Sequence, residues 1–271
     1  SRLLAPLALL FLAAGCSDTQ MNSFMGRIFE PKRTPQQEML IAFSSTDPDQ
    51  RRESLTKVAE SDAAHDDWAI SSYVTIALLD DDAQARCVAL RALAQTDDPR
   101  AVDACVQVLN YRDYPNDVRA PTSVCRWDAA EALANLSSRG VVNEEQRDKT
   151  VQTFLTLLQL DTDWHARAAA ARGLGNFPAR EVVTALIRGL EDKEFSVVYE
   201  CEEALVRLTG VTNNCNPLAW ERWQTEHADD LFAHRGEVPA SRQPPYSTRV
   251  GKAAYNMREF WKWLVPERKE N

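Results

Sequence analysis

The chain has 271 residues, with 31 Lys and Arg against 40 Asp and Glu, and its formal net charge is −9. This acidic excess disfavours sequence-independent attraction to phosphate backbones, so we do not expect nucleic acid as a partner. Only 9 residues are Gly, whereas Ala and Leu are frequent, and because Ala and Leu cost least in a helix interior the composition indicates an all-α fold.

The amino-terminal segment has the features of an export signal. Residues 3–14 are almost wholly apolar, small residues follow, and the chain turns polar immediately after Cys16. The run is too short to cross a hydrocarbon core of about 30 Å as a helix, but it fits the apolar region of a signal peptide. The small residues before Cys16 resemble the lipobox of bacterial lipoproteins. A plain secretory signal and a chance apolar terminus are the alternatives.

The lipobox resemblance implies a modification and a location. Residues 1–15 are expected to be a signal peptide that is removed, Cys16 to be acylated, and residues 16–35 to be a tether on the periplasmic face of the cell envelope. Several acyl chains on one residue would hold the protein firmly, because each buried CH₂ contributes about 0.8 kcal/mol. Asp after the lipidated cysteine tends to retain lipoproteins in the inner membrane of some bacteria. Since Ser17 stands there instead, we expect delivery to the outer membrane.

One pattern recurs between residues 47 and 210. An acidic turn precedes an Arg, and small or apolar residues follow at helical spacing, in copies about 31 to 41 residues apart. Four copies contain the Arg, and in a weaker fifth copy Val198 takes its place. A second amphipathic segment precedes each of the later copies, so the pattern predicts stacked pairs of helices. The arginines are Arg51, Arg86, Arg126 and Arg167, and the preceding segments are 68–79, 100–109, 145–160 and 180–190.

Over residues 36–210 this pattern resembles the short HEAT repeats that are also called PBS-lyase-like. The resemblance implies an α-solenoid of about five helical hairpins, an α-α superhelix. It also implies that the arginines and the acidic turns stack into a structural ladder between neighbouring repeats. The residues that match this ladder are Arg86, Arg126, Arg167, Asp81 and Asp163.

A further helix is predicted after the repeats. Gly210 can end the last repeat helix, Asn216 is a suitable N-cap, and Pro217 suits the first helical position. Trp220 and Trp223 then fall on one face of the new helix. We expect residues 211–234 to cap the open end of the solenoid, because an uncapped end leaves apolar surface in water. A ligand-binding role for the two tryptophans is the alternative.

The carboxy-terminal part divides by composition. Residues 235–249 have the composition of a linker, and residues 250–271 are predicted to form an amphipathic helix with aromatic and basic side chains. Such a helix suits a membrane surface or a partner groove, and docking back on the solenoid is the alternative.

Five cysteines follow Cys16. None forms a Cys-x-x-Cys pair or lies near a His at metal-ligand spacing, so the sequence predicts no metal site. If the chain is exported, disulfides are permitted, and the candidate pairs are Cys201 with Cys215 and Cys87 with Cys125. The alternative is that these are small buried core residues.

No catalytic motif is found in the chain. The four histidines stand apart in sequence, and there is no Gly-rich phosphate loop or Gly-x-Ser-x-Gly motif. We therefore expect no catalytic residue, no cofactor and no enzyme activity. An enzyme of the repeat-lyase type and a purely structural envelope protein are the alternatives.

Aligned columns on the second helices of the repeats offer a binding surface instead. Aromatic residues and both signs of charge occur there, and aromatics and Arg dominate binding hot spots. The alternative for Trp127 is that it packs beneath the long insert, residues 110–124. We therefore expect a lipid-anchored scaffold or protein-binding module whose partner is a protein. The candidate binding residues are Trp127, Tyr199, Arg91, Glu131, Arg172 and Glu203.

Overall fold

A computed structural model describes residues 33–243 and 252–257. The predicted signal peptide, Cys16, the tether up to residue 32 and most of the predicted carboxy-terminal helix lie outside the described residues. The described residues contain helices and no strand, so the prediction of an all-α solenoid is confirmed. The chain divides into two compact units, Ser1–Ala63 and Ala64–Asn271.

The described part of the first unit, from residue 33 onward, contains one helical hairpin, α1 (Pro35–Ser44) and α2 (Pro48–Ala59). Both helices begin with Pro after a capping residue: Thr34 forms a capping box with Gln37, and Asp47 caps α2. Each helix buries an apolar stripe towards the other. These stripes contain Met39 and Ala42 from α1, and Leu55 and Val58 from α2.

The described residues of the second unit form four hairpins, one further helix after them and a helical stretch at residues 252–257. The first helices of the hairpins are α3 (Asp67–Leu79), α5 (Pro99–Leu109), α7 (Glu144–Leu160) and α9 (Arg180–Gly189). The second helices are α4 (Ala83–Leu93), α6 (Ser123–Ser138), α8 (Trp164–Leu174) and α10 (Phe195–Thr209). The further helix is α11 (Pro217–Glu226), and short 3₁₀ turns cover Asp62–His65, Tyr111–Asp113 and Ala240–Arg242.

The helices of the second unit form two layers. Each second helix packs on the next one, in the order α4, α6, α8, α10, and the first helices stack in the order α3, α5, α7, α9, α11. Stacked hairpins are what the recurring pattern predicts. The range predicted for the repeats, residues 36–210, covers the hairpin of the first unit and the four-hairpin stack of the second.

The second helices pack more extensively on one another than the first helices do. Small side chains explain the difference, because Ala and Gly let helix backbones approach closely. Ala129, Ala166, Ala169 and Ala170 are all fully buried in α6 and α8.

A glycine also permits close packing within one hairpin, between α7 and α8. At Gly173 an added Cβ would lie 2.4 Å from the ring of Phe154, so only Gly leaves room for this phenylalanine.

The helix α11 and the chain after it close the end of the stack. Trp220 is fully buried, and its ring meets Trp223 edge to face at 5.4 Å between centroids. Gly210 ends α10 with φ +72°, and an added Cβ there would meet the carbonyl oxygen of His234 at 2.2 Å. The segment after α11 therefore folds back over the end of α10.

Part of the predicted linker, residues 235–249, is packed rather than extended. The Gly236 amide donates to the Arg207 carbonyl at 3.1 Å, and Arg242 forms an ion pair with Glu203. The amino-acid composition did not predict these contacts, because backbone groups and one Arg hold the segment in place and apolar side chains do not.

Candidate protein-binding surface

The candidate binding residues lie on one side of the second unit. We define the second-helix face as the solvent-facing side of α4, α6, α8 and α10. Every candidate side chain is exposed or partly exposed on these helices, while the opposite side of each helix is buried in the stack. The candidate residues on the face are Arg91, Trp127, Glu131, Arg172, Tyr199 and Glu203.

Charged pairs connect neighbouring helices across the face. Between α4 and α6, Arg91 Nε donates to Asp128 Oδ1 at 3.1 Å, and Arg91 Nη2 lies 2.9 Å from Asp128 Oδ2. The hydrogen bond to Asp128 raises the pKa of Arg91, and burial opposes it. This two-point contact orients the guanidinium, yet the Arg91 side chain stays 60% exposed.

The same arrangement continues on the next two helices. Arg172 on α8 forms an ion pair with Glu131 on α6, and its Nη1 atom lies 3.9 Å from Oε1 of Glu200 on α10. Burial raises the pKa of Glu200 above its ordinary value, and the charge of Arg172 opposes that rise. The charges thus form a band that alternates in sign from α4 to α10.

An aromatic cluster lies beside this band at the start of α8. The His165 ring stacks on Trp164 at 3.5 Å between centroids and tilts against Trp127 of α6 at 4.5 Å. His165 Nδ1 lies 2.9 Å from Asp163 Oδ1, which holds the imidazole in place. Trp127 in turn donates to Glu131 at 3.4 Å. The cluster joins the aromatic and charged parts of the face.

A second aromatic pair stands on α10. Phe195 is 74% exposed and Tyr199 is 48% exposed, and their ring centroids lie 6.3 Å apart. Two neighbouring aromatic rings in solvent are unusual for a surface with no partner, since burying each would remove a large apolar area from water.

Two further contacts concern the second helices. Cys87, which follows Arg86 on α4, is only 1% exposed because its side chain faces α6 rather than solvent. The ring neighbour of Trp127 is His165 rather than an aromatic residue of the insert. From the insert, Tyr114 instead lies over Lys149, whose Nζ is 4.9 Å from the ring centroid.

Of the ladder arginines, Arg86 and Arg167 are buried and Arg126 is partly exposed, and their partners differ from the predicted acids. Arg126 binds Asp161 through bonds of 2.9 and 3.2 Å, and Arg167 binds Asp192 through bonds of 2.7 and 2.9 Å. In both pairs the acid belongs to the turn of the following hairpin. Arg86 donates to two carbonyl oxygens of the insert, those of Arg119 and Ala120, at 3.0 and 3.2 Å.

The predicted acids have other roles. Asp163 accepts the His165 amide at 2.9 Å as N-cap of α8, and Asp81 forms an exposed ion pair with Arg119. The sequence offers several acids in each turn, and spacing alone did not distinguish the capping acid from the acid that faces Arg.

Neither candidate disulfide is formed in the structure, as the alternative of unpaired cysteines allowed. The five cysteines of the described residues are free thiols, and all except Cys215 are buried. Cys87 Sγ and Cys125 Sγ lie 3.4 Å apart between α4 and α6. Cys201 packs against Gly189, where an added Cβ would lie 2.4 Å from its Sγ.

Sequence reasoning missed three residues that hold other side chains in place, two on the second-helix face and one at the capped end of the stack. Asp128 and His165 hold Arg91 and Trp127, and Glu202 holds the capping segment. A signal for His165 was present, because it directly follows Trp164 beside a capping Asp. Asp128 and Glu202 lie in charged stretches that resemble a solvated helix face.

The first-helix layer carries grooves rather than an aromatic surface. One groove of about 780 Å³ lies between α7 and α9 and is lined by Leu155, Leu158, Arg180 and Arg188 among others. Across the described ranges, no three His, Cys, Asp or Glu side chains gather as a metal ion requires. None of the described helices has the length and apolar character needed to span a bilayer.

Part of the second-helix face lies within a match to a known repeat family. Residues 118–206 match the family model of HEAT repeats. The HEAT match includes α6, α8 and most of α10, and therefore the aromatic cluster and most of the charged band, but not α4. No curated protein matches the chain at a significant level.

Several solved structures are similar at low sequence identity. A designed armadillo repeat protein, YIII(Dq)4CqI, aligns with a TM-score of 0.48 and 15% identity, covering 74% of this chain and 96% of that one. Computationally designed armadillo repeat proteins for modular peptide recognition align with a TM-score of 0.46 and 17% identity, covering 73% and 94%. An engineered protein, target OR366, aligns with a TM-score of 0.48 and 20% identity, covering 73% and 93%.

Proposed function

We propose that the second-helix face binds a protein partner and that the chain acts as a non-catalytic scaffold or binding module. The observation that carries the proposal is the combination of exposed aromatic rings with a charged band across four stacked helices. Trp, Tyr and Arg are the side chains that contribute most to protein interfaces. The HEAT-repeat match supports a stacked surface of this kind.

The aromatic side chains would supply most of the affinity. Phe195 and Tyr199 offer apolar area that water now covers, and Trp127 is braced by His165 so that little conformational freedom is lost on binding. The band would supply specificity, because a partner must present charges that match the alternating signs of Arg91, Glu131 and Arg172.

Capture of the intact protein after crosslinking in its own cells tests the proposal. Trp127→Ala combined with Tyr199→Ala is expected to reduce the main crosslinked adduct by at least about tenfold, because two anchors are lost. Leu218→Ala is the matched control, since Leu218 is 72% exposed on α11, outside the face. An adduct that the double variant leaves unchanged contradicts the proposal.

We further propose that the module is tethered to the cell envelope through lipid on Cys16, on the periplasmic side and preferentially at the outer membrane. The support is the lipobox resemblance around Cys16 and the Ser17 that follows it. Labelled palmitate should attach to the wild-type protein and fail to attach to Cys16→Ser. Equal labelling of both proteins, or no labelling of either, contradicts this part of the proposal.

A further inference from the structure

We propose that Cys87 and Cys125 are a dithiol that oxidises to a disulfide, which covalently joins the second helices of two neighbouring hairpins. Their sulfur atoms lie 3.4 Å apart, in direct contact. A disulfide bond is about 2.05 Å long, so the sulfurs must approach by only about 1.4 Å, which side-chain rotation can provide.

The surroundings favour reaction at Cys125. Thr122 caps α6 by accepting the Cys125 amide at 3.3 Å, so Cys125 lies in the first turn of the helix, where partial positive charge favours a thiolate. The hydrogen bond from the Cys87 thiol lowers the pKa of Cys125; burial opposes this, and Thr122 and the charge of Arg86 assist it. The pKa of Cys87 is raised by the same hydrogen bond.

Access to Cys125 requires only local opening. Both thiols are buried, but Thr122, Ser123 and Val124 directly before Cys125 are exposed. First turns of helices open more readily than helix interiors. Oxidation can therefore occur when the start of α6 opens, or during folding before it closes.

The reaction is ordinary thiol–disulfide exchange with a small disulfide such as oxidised glutathione. The Cys125 thiolate attacks one sulfur of glutathione disulfide, so a mixed disulfide forms and one glutathione thiolate leaves. The Cys87 thiolate then attacks Cys125 Sγ, the mixed disulfide breaks, and the second glutathione thiolate leaves. Two protein thiols are oxidised, one disulfide is reduced to two thiols, and the two protons pass to the glutathione thiolates.

The crosslink would fix part of the second-helix face. Arg91 follows Cys87 by one helical turn on α4, and Trp127 and Asp128 directly follow the first turn of α6. The disulfide would hold these two helices together at the step where Arg91 binds Asp128. The proposed disulfide is independent of the proposed binding function, because it depends on the distance between the two sulfur atoms and not on any partner. An exported location would supply the oxidising conditions.

Peptide mapping of the full chain tests the proposal. The reduced protein is incubated under native conditions with an excess of oxidised glutathione, blocked with N-ethylmaleimide and digested with trypsin. Cleavage after Arg86, Arg91, Arg119 and Arg126 places the two cysteines in residues 87–91 and 120–126. We expect these peptides to be recovered as one disulfide-linked species that reduction separates.

Variants distinguish this pair from the other thiols. Cys105→Ala, in α5, should retain the linked species. Cys87→Ser should abolish it and accumulate glutathione on Cys125, because the resolving thiol is missing. The wild-type protein should also melt about 5–15 °C higher when oxidised than when reduced, and Cys87→Ser should not show this difference.

Two results would overturn the proposal. One is recovery of both peptides carrying N-ethylmaleimide after oxidation of the wild-type protein. The other is wild-type Cys125 that keeps glutathione while Cys87 remains a thiol. Mapping the wild-type chain needs no variant to fold, so either result is decisive.

Discussion

Glu202 is a buried acid that organises the end of the stack. Its two carboxylate oxygens accept the Thr212 hydroxyl at 2.6 Å and Trp220 Nε1 at 2.7 Å, and also the amides of the loop between α10 and α11. These amides belong to Asn213, Asn214 and Cys215, at 3.0 to 3.2 Å. Hydrogen bonds to a charged group are the stronger kind, and a carboxylate that is only 1% exposed needs them.

Glu202→Gln is expected to lower the free energy of unfolding by about 2–3 kcal/mol. The amide lacks the negative charge, and its NH₂ group faces donors that then have no acceptor. Urea unfolding measures the change. Glu203→Gln is the control, because Glu203 pairs with Arg242 near the surface, and it should cost less than about 1 kcal/mol. Equal losses in the two variants would show that the loop is held in another way.

At the scale of helices and turns, the ladder links hairpins through paired groups with little access to water. The Arg167 and Asp192 side chains are 8% and 14% exposed, and both guanidinium bonds reach the carboxylate. Burial raises the pKa of Asp192, but the hydrogen bonds from Arg167 and from the Glu194 amide, together with the nearby positive charge, outweigh burial, and the pKa lies below its ordinary value. The pair therefore contributes stability above the unfolded-state pKa of about 3.9, and this contribution is lost as pH falls through the lower folded-state pKa.

Asp192→Asn should lower the free energy of unfolding by about 1–3 kcal/mol at neutral pH, with a loss that shrinks as the pH falls below about 4. The reason is that wild-type Asp192 also loses its charge in acid. Urea unfolding across a pH series measures this. Asp97→Asn is the control, because Asp97 is exposed and its Oδ1 lies 3.7 Å from Arg139 Nη2. This variant should lower the free energy of unfolding by less than about 0.5 kcal/mol. A loss for Asp192→Asn that does not change with pH would rule out the charged pair.

Gly189→Ala tests how closely the helices of one hairpin pack. Ala is the better helix former by about 1 kcal/mol, but its Cβ would lie 2.4 Å from Cys201 Sγ. Overpacking typically costs 1–3 kcal/mol, so we expect a net loss of stability in urea unfolding. Adding Cys201→Ala removes the clashing sulfur and should recover part of the loss. A stabilised single variant would contradict the packing described for α9 and α10.

At the scale of the whole second unit, the fold could be predicted from sequence more fully than the surface. The regular recurrence of Arg along the sequence predicted where the helix pairs lie, because every repeat needs the same packing geometry. Contacts peculiar to one repeat leave no such period. The choice of Asp161 and Asp192 as ladder acids, the stacking of His165, and the role of Glu202 all depend on which side chains meet after folding.

The two layers of the stack differ in what they offer to a partner. The first-helix layer has grooves between its helices, whereas the second-helix layer presents aromatic rings and alternating charge on closely packed helices. A preorganised surface of this kind loses little conformational entropy on binding. This difference is the reason why we propose the second-helix face, and not the first-helix layer, as the site of the partner.

Site-specific photocrosslinking tests this placement most directly. A photoreactive phenylalanine analogue replaces Ala168, which lies on α8 between the aromatic cluster and Arg172, or Asp148, which is exposed on α7 in the first-helix layer. After irradiation in the native cells, position 168 is expected to give a discrete protein adduct that Trp127→Ala weakens, and position 148 is expected to give none. The same adduct from position 148, with none from 168, would contradict the account.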